Sequence, residues 1–210
     1  PNASIVARDG RSLDHSRQPL KACGRFEVRA LLLVAILSHA GAVRGGGVQT
    51  DMCGIAGLWC GDSLAEDTAR SWIDRMTATL VHRGPDASGA FYDREAGIGF
   101  GHRRLSIVDL SEAGQQPMWS QSGRYSITYN GEVYNAPEIR ADLARQGFGI
   151  AWRGHSDTEV VLEAIEALGL QEALERFRGM FAFALWDTEA RSLFLVRDRL
   201  GIKPLLYFQG

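Results

Sequence analysis

Met52-Cys53-Gly54 sets a thiol between two neighbours that bear on its chemistry. A cysteine beside residues such as Ile55 and Ala56 is most often a small buried hydrophobe. Here a methionine directly precedes it, and a glycine gives the backbone freedom directly after it. If Met52 and everything before it are removed, Cys53 carries a thiol and a free α-amine on one residue. Those groups ordinarily titrate at about 8.5 and about 8. The amine is then substantially neutral near physiological pH and can accept the thiol proton, so nucleophile and base come from one amino acid. An amide nitrogen has no basic lone pair, so this chemistry fails while any peptide bond remains on Cys53.

Three further stretches carry groups suited to holding a small polar ligand. In Tyr129-Asn130-Gly131-Glu132-Val133-Tyr134-Asn135, spacing alone favours a strand that ends in an Asn-Gly turn. The competing reading is an oxyanion hole, in which the Asn130 amide and the Gly131 N–H point at one oxygen. Arg103 and Arg104 are adjacent, so on a strand they face opposite sides and only one can face a cleft. A guanidinium there could hold a carboxylate through paired hydrogen bonds, although a solvated strand end explains an arginine equally well. Asp157 suits the first turn of a helix, where a carboxylate meets the positive end of the dipole, and it could also hold an ammonium group. His82, His102 and His155 lack metal-ligand spacing and read as structural or surface residues, so no metal site is expected.

The elements that position these groups begin after Met52. Residues 55–59 are a short apolar strand candidate stopped by Gly61-Asp62. Trp72, Ile73, Met76 and Leu80 recur at helical spacing and predict an amphipathic helix over roughly 64–81. His82-Arg83-Gly84-Pro85-Asp86 breaks it, and strands are expected at about 88–92, 98–103 and 124–129. Asn135-Ala136-Pro137-Glu138 and Ser156-Asp157-Thr158-Glu159 both read as capping boxes that open helices. Residues 181–186 and 192–196 read as paired strands around a turn at 187–191. Grouped strands with helices between the groups predict an α+β domain with mainly antiparallel sheets.

The bulk properties exclude several classes. The chain has 210 residues with 45% hydrophobic and 23% charged content, enough for a full core. A net charge of −2 without a basic stripe argues against nucleic acid or an anionic membrane as partner. Three cysteines, Cys23, Cys53 and Cys60, without a C-x-x-C pair suggest neither a disulfide framework nor zinc, and fit a cytoplasmic setting. Residues 30–37 have the flavour of a signal-peptide core but are too short to span a bilayer. Residues 1–51 are expected to be a leader, a fusion remnant or sequence upstream of the true start, mostly poorly packed, with the domain proper at 52–210. Gly45-Gly46-Gly47 reads as a flexible linker.

Six stretches in order carry a resemblance. They are Met52-Cys53-Gly54-Ile55-Ala56-Gly57, His82 to Asp86, Arg104-Leu105-Ser106-Ile107-Val108-Asp109, Tyr129 to Asn135, Ser156 to Glu159, and residues 197–205 around Gly201-Ile202-Lys203-Pro204. Over about 52–208 the chain resembles the glutaminase domain of glutamine-hydrolysing asparagine synthetases, class II glutamine amidotransferases of the N-terminal-nucleophile type. The resemblance implies a four-layer αββα sandwich with two mainly antiparallel sheets. It implies that Cys53 attacks the amide of L-glutamine, with Asn130 and Gly131 as the oxyanion hole. Arg104 would bind the substrate carboxylate and Asp157 its ammonium, with Leu105, Ile107, Val108 and Glu132 lining the pocket. A γ-glutamyl thioester would form and be hydrolysed. No cofactor is expected in this domain; ATP and magnesium belong to a C-terminal synthetase domain, the expected partner, and a homodimer is among the assemblies the resemblance allows. Two alternatives stand beside this reading: an amidotransferase domain with an acceptor other than aspartate, and a silent glutamine-binding domain.

Overall fold

The computed structural model describes residues 4–8, 31–35, 53–61, 64–105 and 114–209. Four helices and ten strands are described. One sheet has the order β1 (Ser4–Arg8), β9 (Ser192–Arg197), β8 (Gly179–Asp187), β7 (Tyr125–Val133), β6 (Met118–Trp119). The other has the order β10 (Leu206–Gln209), β2 (Leu31–Ala35), β3 (Gly54–Trp59), β5 (Ile98–Arg104), β4 (Ala87–Asp93). Every pairing is antiparallel.

The layers follow from which faces are apolar. Helix α1 (Glu66–Thr79) lays Ala69 and Ile73 on Leu58, Cys60 and Tyr92 of the second sheet. Between the sheets lie Trp59, Ile98 and Phe100 from one side and Ala184, Trp186, Leu193 and Leu195 from the other, with Trp59 edge-on to Trp186 at 5.6 Å between centroids. The largest core packs the outer face of β7 and β8 against α2 (Ala136–Arg145), α3 (Asp157–Leu168) and α4 (Leu170–Arg176). Helix, sheet, sheet, helix: the α+β sandwich has the four layers expected. At about 25 cal/mol per Å² of apolar surface removed from water, these three seams supply the driving force for folding.

Several local expectations need correction. Trp72, expected on the packed face of α1, is 44% exposed, and the buried stripe is Ala69, Ile73, Thr77 and Leu80. Asn135 precedes α2 but makes no side-chain cap. Its amide instead donates to Arg176 O and its oxygen accepts from Arg178 N, tying the start of α2 to the α4–β8 connection. Ser156 does cap α3, accepting from Thr158 N at 3.2 Å. The reciprocal half of that box is not made, because Glu159 accepts from Arg153 N and Gly154 N instead. Of the residues before Met52, Ser4–Arg8 pairs with β9 and Leu31–Ala35 lies between β3 and β10; their sequence had suggested no strand. No helix among the described residues is long and apolar enough to cross a membrane.

Candidate functional site

One end of the sandwich gathers the start of β3, the end of β5, the end of β7, the N-terminus of α3 and the loop before β10. Antiparallel register sets Gly54 opposite Arg103, so Cys53 meets the chain where it leaves β5. The Cys53 thiol accepts from Leu105 N at 3.4 Å and lies 3.8 Å from Leu105 O. Burial pushes the thiol pKa up. The Leu105 N–H, the charges of Arg104 and Lys203, and the residue's own backbone N–H pull the other way.

The two arginines separate as strand alternation requires. Arg103 turns to α1 and donates to Thr77 O at 3.3 Å. Arg104 lies on the other side, its guanidinium over Gly114, where an added Cβ would meet Nη2 at 2.3 Å. Leu105 is half-buried beside the thiol. Ile107 and Val108 fall outside the described residues.

The Asn130-Gly131 pair lies inside β7, not in a turn, so the reading that spacing alone favoured is wrong. Thr128 donates to Gly101 O of β5, which shows that even-numbered positions of β7 face the other sheet. By the two-residue period, Asn130 and Glu132 point the same way, towards the sheet that carries Cys53. Asn130 is 4% exposed. Backbone N–H groups alternate too. Tyr129 N donates to the Gln116 amide oxygen at 2.6 Å and Val133 N to Asp157 Oδ2 at 2.9 Å, both on the side away from β8. The Gly131 N–H points to that same side, between the other two. Glycine is required at 131 because a Cβ would meet Met180 O at 2.5 Å and Phe181 Cα at 2.6 Å.

Asp157 opens α3. Its Oδ2 accepts from the Tyr129 hydroxyl at 2.8 Å as well as from Val133 N. Burial raises its pKa against these donors, with a smaller push from the Glu132 charge.

Sequence reasoning gave no role to three residues at this end. Arg83, 4% exposed, donates through Nε to Cys53 O at 3.4 Å, and its Nη2 is buried without a hydrogen-bond partner among the described residues. Lys203, also 4% exposed, feels the charges of Arg83, Cys53 and Glu132; burial first, then Arg83, lowers its pKa. Asp198 folds the loop that presents it, accepting from the N–H groups of Phe181, Leu200, Ile202 and Lys203. Burial opposes the Asp198 charge, but those donors outweigh it and hold the carboxyl below its usual range. Arg83 and Lys203 both stood in quoted motifs; a cation within a Gly- and Pro-containing turn was the available signal. Among the described residues no cluster of His, Cys, Asp or Glu could hold a metal ion.

Residues 52–210 match the family described as "Glutamine amidotransferase domain". The chain belongs to the glutamine amidotransferase domain family. Asparagine synthetase (glutamine-hydrolyzing) 1 of Bacillus subtilis (strain 168) is 41% identical over 157 residues, 74% of this chain and 24% of that protein. Putative asparagine synthetase (glutamine-hydrolyzing) 2 of Methanocaldococcus jannaschii is 35% identical over 173 residues, 75% of this chain and 32% of that protein. Amidase chry2 of Gibberella zeae is 41% identical over 142 residues, 66% of this chain and 21% of that protein. This amidotransferase domain thus spans a fifth to a third of the length of these curated relatives.

Proposed function

We propose that this domain hydrolyses the side-chain amide of L-glutamine to glutamate and ammonia, and that the ammonia serves an ATP- and magnesium-dependent synthetase portion making asparagine. The observation that carries the proposal is the seating of the Cys53 thiol on the Leu105 main chain, facing the strand that holds Asn130 and Gly131.

The thiol attacks the amide carbon, and its proton passes to the α-amine of Cys53 once that amine is free. In the chain as it stands that nitrogen is an amide N–H, which lowers the thiol pKa only as a donor; the base role begins when the peptide bond to Met52 is cut. The oxyanion that forms is held by the Asn130 side-chain amide and the Gly131 N–H. Collapse of the tetrahedral intermediate breaks the C–N bond, and the leaving nitrogen takes the proton and departs as ammonia. Water then cleaves the γ-glutamyl thioester, returning the thiol and releasing glutamate. Arg104 pairs with the substrate α-carboxylate and Asp157 with its α-ammonium; Leu105, Ile107, Val108 and Glu132 line the pocket. Loss of one oxyanion donor costs about 10²–10³ in rate.

Residues 1–51 are a removable leader in this proposal. A reducing, cytoplasmic setting, read from three sparse cysteines without a C-x-x-C pair, belongs to this proposal. Intact mass of the active protein, with a glutamine-to-glutamate assay and a Cys53→Ala control, tests the proposal. The expected active species begins at Cys53, and alanine abolishes turnover. Full activity with a peptide bond still on Cys53 overturns the mechanism. The relative named as an amidase, 41% identical, supports a second reading in which the acceptor is not aspartate; ammonia transfer assays with alternative carboxylate acceptors separate the two.

A further inference from the structure

Tyr129 directly precedes the proposed oxyanion pair, Asn130 and Gly131. Its ring lies in the core against Phe183, with centroids 6.3 Å apart. Its main chain is held from both sides: the N–H by Gln116 Oε1 at 2.6 Å and the carbonyl by His102 Nε2 at 3.2 Å. Gln116 in turn donates to Thr158 Oγ1, beside Asp157, at 3.4 Å. The phenol is 2% exposed; burial and the Asp157 charge push its pKa well above the usual value, so the hydroxyl stays protonated and donates. The acceptor is Asp157 Oδ2, which also receives the Val133 N–H. Both bonds end on the same oxygen.

We propose that Tyr129 is a positioning residue for substrate specificity: with Val133 it clamps Oδ2 of Asp157, so that Oδ1 is turned to the α-ammonium of the bound amino acid. The inference rests on the reading of Asp157 given under the proposed function. A carboxylate free to rotate spreads its charge over several orientations, whereas one held by the Tyr129 hydroxyl and the Val133 N–H, with the Thr158 N–H also favouring its charge, keeps a fixed acceptor at the pocket wall. A buried phenol with no other acceptor among the described residues is a suitable clamp, because its ring cannot swing away. The enzyme then distinguishes an amino acid amide from a plain amide of the same length.

The test measures equilibrium binding in the full chain carrying Cys53→Ala, which stops turnover. The ligands are L-glutamine and 4-carbamoylbutanoate, which keeps the amide and the carboxylate and lacks the amine. Tyr129→Phe is expected to weaken glutamine on the order of tenfold, the loss of one hydrogen bond to a charged group, and to leave 4-carbamoylbutanoate within about twofold. In an Asp157→Asn background the same change should cost nothing further. Glutamine affinity should also fall at a higher pH on the acid side in Tyr129→Phe, because the carboxyl loses a donor that favours its charge; Glu132 is the other charged group bearing on Asp157 and is unchanged. If Tyr129→Phe fails to melt cooperatively, 3-fluorotyrosine at 129, a stronger donor, must move that midpoint the opposite way. Equal weakening of both ligands, or of neither, overturns the clamp. Failure of Asp157→Asn to weaken glutamine selectively, or absence of glutamine binding altogether, refutes the proposed role of Asp157 instead.

Discussion

Acid should destabilise this fold through one histidine. His102 is 1% exposed at the seam between the sheets, where its Nε2 meets Tyr129 O. Burial lowers its pKa from the ordinary 6.5 to about 4; the Tyr129 carbonyl opposes that shift and the Arg104 charge adds to it. Above pH 6.5 the folded and unfolded chains both hold a neutral imidazole. As pH falls from 6.5 towards 4, the unfolded chain takes a proton that the folded chain refuses, so stability drops across that window and levels off below it. The full gap corresponds to about 3 kcal/mol, of which about 2 kcal/mol is already lost at pH 5. Denaturant unfolding of the wild type and His102→Gln from pH 8 to pH 4.5 reads this directly. Glutamine keeps a donor for Tyr129 O and does not titrate. Subtracting the two curves removes the carboxylates common to both proteins. The wild type should lose about 2 kcal/mol more than the variant between pH 8 and pH 5. Parallel curves would refute the claim that His102 is held neutral by burial.

Gly131→Ala should cost about 1–3 kcal/mol, read as a lowered denaturation midpoint, and should also abolish glutamine hydrolysis, because its Cβ meets β8 backbone at 2.5 Å. Asp198→Ala strips the acceptor from four N–H groups and should destabilise by about 3 kcal/mol, while the native Asp198 contribution is present above pH 3.8 and lost as pH falls below it. Arg104→Ala should weaken glutamine binding by about two orders of magnitude in a titration, and Arg103→Ala, whose guanidinium serves Thr77 O on α1, by less than about twofold.

The antiparallel architecture was legible because β3, β5, β8 and β9 are apolar runs bounded by turns, and α1 and α3 show helical periodicity. Residue pairs with two roles were harder to read. Asn130-Gly131 has turn propensity, yet β8 on one side and the Gln116 and Asp157 side chains on the other hold it extended. Tertiary pairing outweighs a local preference worth under about 1 kcal/mol. Asn135 had the right place for a cap, but bridging Arg176 O and Arg178 N gives its amide two partners from a distant segment, which no local pattern reveals. Met118–Trp119 is too short to show a period, and its pairing with Ile127 and Ser126 is set by β7. Of the site, the adjacent arginines were readable as opposed because strand alternation is strict. Tyr129 was missed because an aromatic in a strand signals core, and only the long-range partner of its hydroxyl, Asp157, says otherwise.

Stability and chemistry draw on different parts of this sandwich. Of the residues that line or clamp the candidate site, Tyr129 and Val133 also lend their side chains to the apolar seams that hold the layers together. Charge collects at the end where the seams stop. A thiol half-enclosed there is disfavoured as thiolate by burial, and the Leu105 N–H, Arg104 and Lys203 offset part of that penalty. Lys203 bears its own penalty from burial and from Arg83, and the counter-charges that relieve it are Cys53, Glu132 and Asp198. Burial outweighs the charge partners at Cys53, Arg83 and Lys203, and each is pushed towards its neutral form. Asp198 carries the arrangement into the backbone, since three N–H groups of the loop and that of Phe181 in β8 close on it where Lys203 is presented. The loop thus bears on the Cys53 thiol through the Lys203 charge, while the hydrophobic layers set where the two can meet.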